Sequence, residues 1–184
     1  MREGPELDPA TQFPELYERE YTAVYRSILG VVLEPALAED LTQEAFVRAY
    51  RAKNTYKPTA PPGAWLHRIA VNLAISQLRR QRLARLLPGR LYTPPDARDY
   101  DQADARNVIE QALEVLTPKL RAAVVLHYYQ GFTREEVAQI LGIPSGTVAS
   151  RIAKAITLMR KKLESSEQAA LSLRSKREGV LRER

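Results

Sequence analysis

The sequence contains no cysteine and only two histidines, His67 and His127, among its 184 residues. The lack of cysteine excludes disulfide bonds, thiolate metal sites and cysteine nucleophiles. Two isolated histidines are too few for a zinc site or a catalytic triad, and no glycine-rich phosphate loop occurs. No apolar run approaches the roughly 20 residues that cross a bilayer, and the N-terminus has no signal peptide. We therefore expect a cytoplasmic protein without catalysis, cofactor, metal or membrane insertion.

The composition is that of a globular protein with a basic surface. Hydrophobic residues make up 45% of the chain and charged residues 27%, which suffices for two modest cores. The net charge is +6 and the isoelectric point is about 9.6. This balance favours a polyanionic partner without identifying it.

Apolar residues recur at helical spacing, so we predict an all-α protein. The expected helices cover about residues 13–33, 36–52, 64–87, 105–116, 118–130, 134–141 and 145–163. They form two small domains, residues 13–87 and 105–163, joined by an extended linker, residues 88–104, that is acidic and rich in proline. Residues 1–12 are expected to be a disordered leader, and residues 164–184 a basic C-terminal tail that either continues the last helix or frays.

The stretch from Thr133 to Leu163 has the pattern of a helix-turn-helix. Thr133 and Glu136 fit a capping box, Gly142 suits a left-handed helix end, and Pro144 prevents continuation. The second helix begins with small polar residues that allow close approach to DNA bases, and cations follow that suit phosphates or guanine. A helical hairpin with a solvated basic face is the alternative. The residues expected to face DNA are Ser145, Gly146, Thr147, Ser150, Arg151 and Lys154.

A second basic helix lies in the N-terminal domain. From Leu66 to Arg90 there are six arginines and no acidic residue, whereas a solvated helix face normally mixes charges of both signs. Asn72, Ser76 and Gln77 add hydrogen-bonding groups, which favours nucleic acid over a membrane surface or an acidic protein. The preceding loop, residues 53–63, carries polar and aromatic residues suited to holding a base: Asn54, Thr55, Tyr56 and Lys57.

Three motifs, in order, resemble the extracytoplasmic-function sigma factors of RNA polymerase. Asp40–Arg48, DLTQEAFVR, is similar to their region 2.2, and Trp65–Arg80 is similar to regions 2.3 and 2.4. Leu116–Arg121 through Gly146–Arg151 is similar to region 4. The resemblance covers about residues 13–163 and implies a minimal two-domain sigma factor that directs promoter recognition and melting.

The resemblance also implies roles for individual residues. One face of the second helix, which residue pattern alone assigns to solvated surface, would dock on core RNA polymerase: Asp40, Gln43, Glu44, Phe46 and Arg48. The loop and the arginine helix would capture the single-stranded −10 element: Asn54, Thr55, Tyr56, Lys57, Arg68, Asn72, Ser76, Arg79 and Arg80. The helix from Ser145 would read the −35 element as duplex DNA, and an anti-sigma factor is expected as a further partner.

Two positions depart from the family pattern. Ser76 stands where many relatives have aspartate, which affects −10 specificity, and Ala149 stands where lysine is frequent, which removes one contact near −35. Two other classes remain open at this point. One is a helix-turn-helix regulator that binds duplex DNA without polymerase, and the other is an enzyme acting on nucleic acid.

Overall fold

The computed structural model describes residues 7–57, 59–86 and 104–182, except for the side chains of residues 104–107, 167 and 169–182. These residues form α-helices and no strand, which confirms the predicted all-α class with two helical domains. A 3-10 turn, Lys53–Thr55, follows the second helix, and a π-helical turn, Val125–Tyr129, continues the fifth. The α-helices are α1 Phe13–Val32, α2 Pro35–Ala52, α3 Pro62–Leu86, α4 Asp104–Glu114, α5 Pro118–Val124, α6 Arg134–Leu141 and α7 Ser145–Arg182.

Helices α1, α2 and α3 pack together as the N-terminal bundle. Leu16, Ile28 and Val31 of α1 are fully buried, whereas Tyr17, which the periodicity placed inward, is 42% exposed. Helix α3 buries a row of small residues, including Ala70 and Ala74, and small side chains at a contact let helix axes approach closely.

Helices α4 to α7 form the C-terminal domain, in which the predicted capping is confirmed. Thr133 Oγ1 accepts a hydrogen bond from the Glu136 backbone N–H, and the Glu136 carboxylate accepts one from the Thr133 N–H at 2.7 Å. Gly142 ends α6 in the left-handed region with φ of 64°. Val148 and Ile152 of α7 are buried in the same cluster as Val137 and Ile140 of α6. Ala155 of α7 is buried in a second cluster with residues of α4 and α5.

The described parts of the expected leader and of the expected tail have defined backbone conformations. Residues 7–12 form a turn in which the Asp8 carboxylate accepts hydrogen bonds from Ala10 N–H and Thr11 Oγ1, both at 3.0 Å, and Pro9 is fully buried. The backbone of the expected tail continues α7 to Arg182. The predicted linker, residues 88–104, lies almost entirely outside the described residues.

The fifth helix also differs from the prediction, because it widens into a π-helical turn at Val125–Tyr129. The Gln130 N–H donates to the Val125 carbonyl at 3.0 Å, a spacing of five residues instead of four. Such turns insert one residue into a helix and shift the side chains that follow. Here the turn presents Val125 to α1 of the other domain.

The two domains pack directly against each other. Phe132, Val137 and Ile140 of the C-terminal domain belong to the same buried cluster as the cores of α1 and α3. The Gln130 side-chain amide donates to the Ala23 carbonyl of α1 at 3.0 Å. A Cβ at Gly30 of α1 would lie 2.7 Å from Val125 Cγ2, so only glycine fits this contact. The described chain is therefore held in one closed arrangement.

The Gly30 contact leads to a stability prediction. Substitution Gly30→Ala overpacks the domain contact, which costs about 1–3 kcal/mol and outweighs the roughly 0.5–1 kcal/mol that alanine gains over glycine within a helix. We expect the free energy of unfolding in urea, followed by circular dichroism, to fall by about 1 kcal/mol.

The matched control is Gly146→Ala, since a Cβ there meets no atom within 4 Å. This control is expected to leave stability unchanged or to raise it by up to about 1 kcal/mol. Equal effects of the two substitutions would show that Gly30 is not a packing constraint.

Candidate nucleic-acid and polymerase interface

The second helix of the helix-turn-helix presents its first turns to solvent. The Ser150 hydroxyl donates to the Thr147 carbonyl at 3.0 Å, so it is held against the helix backbone. The opposite face of the same turns is buried through Val148 and Ile152. The residues predicted to face DNA form one continuous surface: Ser145, Gly146, Ser150 and Lys154 are exposed, and Thr147 and Arg151 are half-buried.

Helix α3 carries a line of polar and basic side chains along its outer surface. Arg68, Asn72, Arg79 and Arg80 are exposed and Ser76 is half-buried. The Arg80 guanidinium donates to the Gln77 side-chain oxygen at 2.8 Å, which orients it along the helix. The spacing of four residues places Arg68, Asn72 and Ser76 on one face.

The loop before α3 meets the start of this face. The Tyr56 hydroxyl donates to the Ala60 carbonyl and closes the loop, and the Tyr56 ring contacts the Trp65 ring edge-on at 5.4 Å between centroids. Asn54, Thr55 and Lys57 are exposed. Trp65, which sequence reasoning assigned to the core, is only half-buried and lines a cleft beside the loop. The sequence signal for a half-buried Trp65 was its position as an aromatic residue directly after a loop of polar residues.

Helix α2 displays the side chains that were predicted to dock on polymerase. Asp40, Gln43, Glu44 and Arg48 are exposed, and Arg48 Nε lies 2.6 Å from Glu44 Oε1. This ion pair spans one helical turn in solvent, so it orients the two groups and adds little stability.

Phe46 is the buried member of the set that is predicted to dock on polymerase, since it is only 4% exposed. Its ring packs against Phe13, Tyr17 and Tyr21, with centroids between 4.7 and 6.5 Å apart. Burial raises the pKa of the Tyr21 phenol, with Tyr17 and Glu39 adding to the rise, so this ring remains neutral in the cluster. Phe46 is therefore mostly covered by these rings, and what remains accessible of it lines an apolar groove at the surface of α2, next to Gln43.

Sequence reasoning missed the exposed apolar side chains beside this face. Tyr17, Val47 and Tyr50 are 42%, 44% and 56% exposed, and together with Phe13 and Arg51 they line an apolar groove. The signal was available, because Tyr17 and Tyr50 stand at the edges of their helical stripes. Exposed aromatic groups in a rim of charged residues are typical of protein interfaces.

Among the described residues, the histidines and the acidic side chains do not form a second candidate site that could bind a metal. His67 is fully buried, shares a 3.0 Å hydrogen bond with Ser27 Oγ, and contacts the Phe132 ring edge-on. Within residues 7–57, 59–86 and the described part of 104–182, no cluster of histidine or acidic residues is arranged to hold a metal. No helix among them has the length and apolarity required to cross a membrane.

Comparison with known proteins decides the family. Residues 16–84 match the family described as Sigma-70 region 2, and residues 106–159 match Sigma-70, region 4. The RNA polymerase sigma-E factor of Streptomyces antibioticus is 32% identical over 165 residues, which cover 88% of this chain and 90% of that protein. The chain belongs to the extracytoplasmic-function sigma factors. It is an alternative sigma factor of the class that directs transcription initiation.

Other sigma factors of this family show similar identity. The ECF RNA polymerase sigma factor SigE of Mycolicibacterium smegmatis is 35% identical over 171 residues, which cover 84% of this chain and 63% of the relative. SigW of Bacillus subtilis is 33% identical over 157 residues, or 78% of this chain and 82% of that sigma factor. Sigma factors are regulatory proteins.

Two solved structures share the fold. RpoE from Bartonella quintana, in complex with the anti-sigma factor NepR, has a TM-score of 0.68 and 24% identity, and the match covers 83% of this chain and 97% of RpoE. CnrH, in complex with the cytosolic domain of CnrY, has a TM-score of 0.61 and 23% identity over 83% of this chain and 88% of CnrH. At this identity the likeness concerns the fold.

The capping box yields a prediction about the helix-turn-helix of this sigma factor. Substitution Thr133→Ala removes the side-chain cap of α6 and one partner of the Glu136 carboxylate, so thermal unfolding should show a loss of about 1 kcal/mol.

Thr157→Ala is the matched control, since the Thr157 hydroxyl only donates to the Ala153 carbonyl within exposed α7. We expect this control to change stability by less than about 0.5 kcal/mol. A Thr133→Ala protein as stable as the control would mean that the cap is not needed.

Proposed function

We propose that this sigma factor uses three separate faces for core polymerase, the −10 element and the −35 element. The observation that carries the proposal is the outer surface of α3, where exposed Arg68, Arg79 and Arg80 occur in a stretch without any acidic residue. Arginines without compensating charges repel one another unless a polyanion lies beside them. The family assignment makes promoter DNA that polyanion.

The −10 element is proposed to be held as a single strand by the loop and α3. Asn54, Thr55 and Lys57 are exposed at the loop, and the half-buried rings of Tyr56 and Trp65 stand next to them. Aromatic rings stabilise an unstacked base, and flanking cations hold its phosphates. The face then continues along Asn72, Ser76, Arg79 and Arg80, so the strand is expected to run along α3.

The −35 element is proposed to be read as duplex DNA by the start of α7. Small side chains at Ser145 and Gly146 allow the helix N-terminus to enter the major groove, and the Thr147 and Ser150 hydroxyls offer hydrogen bonds. Arg151 and Lys154 supply the charge for phosphate or guanine contacts. The Ala149 side chain offers neither charge nor hydrogen bond, so we expect fewer contacts here than in relatives with lysine.

Core RNA polymerase is proposed to dock on α2. Asp40, Gln43, Glu44 and Arg48 provide an exposed polar set, and the accessible part of Phe46 lines the apolar groove next to it. The apolar groove beside them would place Tyr17 and Tyr50 at the same interface. Buried aromatic anchors with a charged rim give binding energy and orientation respectively.

Three finer expectations complete the proposal. The protein is proposed to act in the cytoplasm, where the polymerase is, and to have no catalytic chemistry or cofactor of its own. It is proposed to bind an anti-sigma factor, because the solved structures of RpoE and CnrH are both complexes with such partners or their cytosolic domains.

The alternative of a helix-turn-helix regulator that acts without polymerase is less well supported, since it leaves the α2 face and the arginine surface of α3 without a partner. Run-off transcription with purified core polymerase separates the two functions. Promoter-specific transcripts that require this chain support the sigma factor. Sequence-specific duplex binding without any binding to core polymerase supports the regulator.

The −10 proposal predicts the effect of the double substitution Arg79→Ala with Arg80→Ala. Loss of two phosphate contacts should reduce open-complex formation at least about tenfold at physiological salt, measured by permanganate footprinting. Affinity for core polymerase should stay unchanged.

The matched control is Arg26→Ala with Arg134→Ala, which removes two exposed arginines from other surfaces. Open complexes that form equally in both double variants would contradict the assignment of the α3 face.

The −35 proposal predicts that Arg151→Ala weakens transcription from promoters that depend on the −35 element. The expected loss is about 1–3 kcal/mol if the guanidinium contacts a base edge, measured as the change in affinity of the holoenzyme for promoter fragments with intact and scrambled −35 sequences. Arg160→Ala, farther along the exposed part of α7, serves as the control. An equal loss on both promoter fragments would show a phosphate contact instead of base reading.

A further inference from the structure

A cleft of about 320 Å³ lies between the loop before α3, the first turn of α3, and helix α6 of the other domain. Tyr56 and Lys57 come from the loop, and Trp65 and Arg68 come from α3. Gln139 and Ile140 of α6 complete the lining. The cleft therefore exists only while the two domains are packed together.

The lining combines the groups that recognise a nucleotide. The Tyr56 and Trp65 rings meet at an interplanar angle of 61°, are both half-buried and both line the cleft, so the cleft has aromatic surface against which a base can pack. Lys57 and Arg68 are exposed cations at the rim, and Gln139 offers an amide that both donates and accepts hydrogen bonds. None of the described residues that line the cleft is acidic.

The volume of the cleft and the position of α6 along one side of it favour a free nucleotide over a longer DNA strand. Ligand pockets span roughly 300–1,000 Å³, so this cleft is at the lower end and matches one base with its sugar and phosphate. Ile140 is 1% exposed and belongs to the core shared with α3, which fixes α6 in place. If the base belonged to a DNA strand, the sugar-phosphate backbone on either side of it would have to pass α6. A mononucleotide has no such flanking backbone.

We propose that this interdomain cleft binds a nucleoside monophosphate, with the base stacked on Trp65, the phosphate between Lys57 and Arg68, and Gln139 on the base edge. Because the ligand contacts both domains, it stabilises the closed arrangement relative to any arrangement in which α6 has left α3. By linkage, whatever separates the domains must also weaken nucleotide binding. Tyr56, Lys57, Trp65 and Arg68 are shared with the proposed −10 face, whereas Gln139 and Ile140 of α6 have no part in it.

The test uses the fluorescence of Trp65, which is the single tryptophan of the chain. The full-length protein without polymerase is titrated with AMP, GMP, CMP and UMP, with inorganic phosphate and adenosine as partial ligands. Free tryptophan corrects for absorption by the nucleotide. We expect saturable quenching by at least one nucleotide, and weaker binding of each partial ligand. No saturable change with any nucleotide would overturn the proposal, and so would quenching by phosphate equal to that by the nucleotides.

The variant Gln139→Glu tests the α6 wall. A carboxylate cannot donate the hydrogen bond that the Gln139 amide is proposed to give to the base edge, and it adds a negative charge to a cleft that holds an anion. The dissociation constant should therefore rise about tenfold or more, and because Gln139 is exposed the fold should be kept. Gln168→Glu makes the same change on exposed α7, outside the cleft, and should bind like the unchanged protein. Equal affinity in both variants would overturn the interdomain site. Neither measurement involves promoter DNA or polymerase, so its failure is distinguishable from a failure of the proposed promoter contacts.

Discussion

The close approach of Gly30 in α1 to Val125 in the π-helical turn sets how the two domains of this sigma factor meet. Because Gly30 has no Cβ, the branched Val125 side chain can pack between the two domains. The π-helical turn directs the Val125 side chain toward α1. The Gln130 amide donates to the Ala23 carbonyl and so fixes the position of this turn along α1. From this contact outward, Phe132, Val137 and Ile140 join the N-terminal bundle in a single core. Helix α6 is held beside α3 as a result.

This arrangement has a consequence for promoter recognition. The proposed −10 and −35 surfaces belong to different domains, and a promoter presents its two elements some distance apart along the DNA. In the closed chain the wall formed by α6 stands directly at the start of the proposed −10 face. If polymerase and promoter engage both domains as proposed, the free energy of breaking the shared core would have to come from those contacts.

Local features were predictable from sequence because they depend on neighbours in the chain. The capping box at Thr133, the left-handed Gly142 and the helix pattern all follow from residues within a few positions of one another. The polar and basic residues proposed for DNA lie at the surface as the periodicity indicated. The docking role of Phe46, which the family resemblance implies, stays a prediction, but the residue pattern of α2 contains no measure of how deeply this ring is covered. Only the rings of Phe13 and Tyr17 from another helix show that it is covered.

The relation between the domains was not predictable, because its contacts join distant parts of the chain. Gln130 and Ala23 are 107 positions apart, and neither residue carries a pattern that identifies the other. The π-helical turn is similarly invisible, since its five residues fit an ordinary helix by composition. The half-buried position of Trp65 follows from the same contacts, because α6 forms the opposite wall of its cleft.

Helix α7 begins at Ser145, in the turns that are proposed to enter the DNA major groove, and continues without a break to Arg182. At about 1.5 Å per residue, its 38 residues extend some 57 Å. The Ser165 and Ser166 hydroxyls donate to carbonyls one turn earlier, which bends a helix gently without creating a hinge. Because no break separates the two ends of α7, a force applied near Arg182 would be transmitted along one rigid rod to the turns at Ser145.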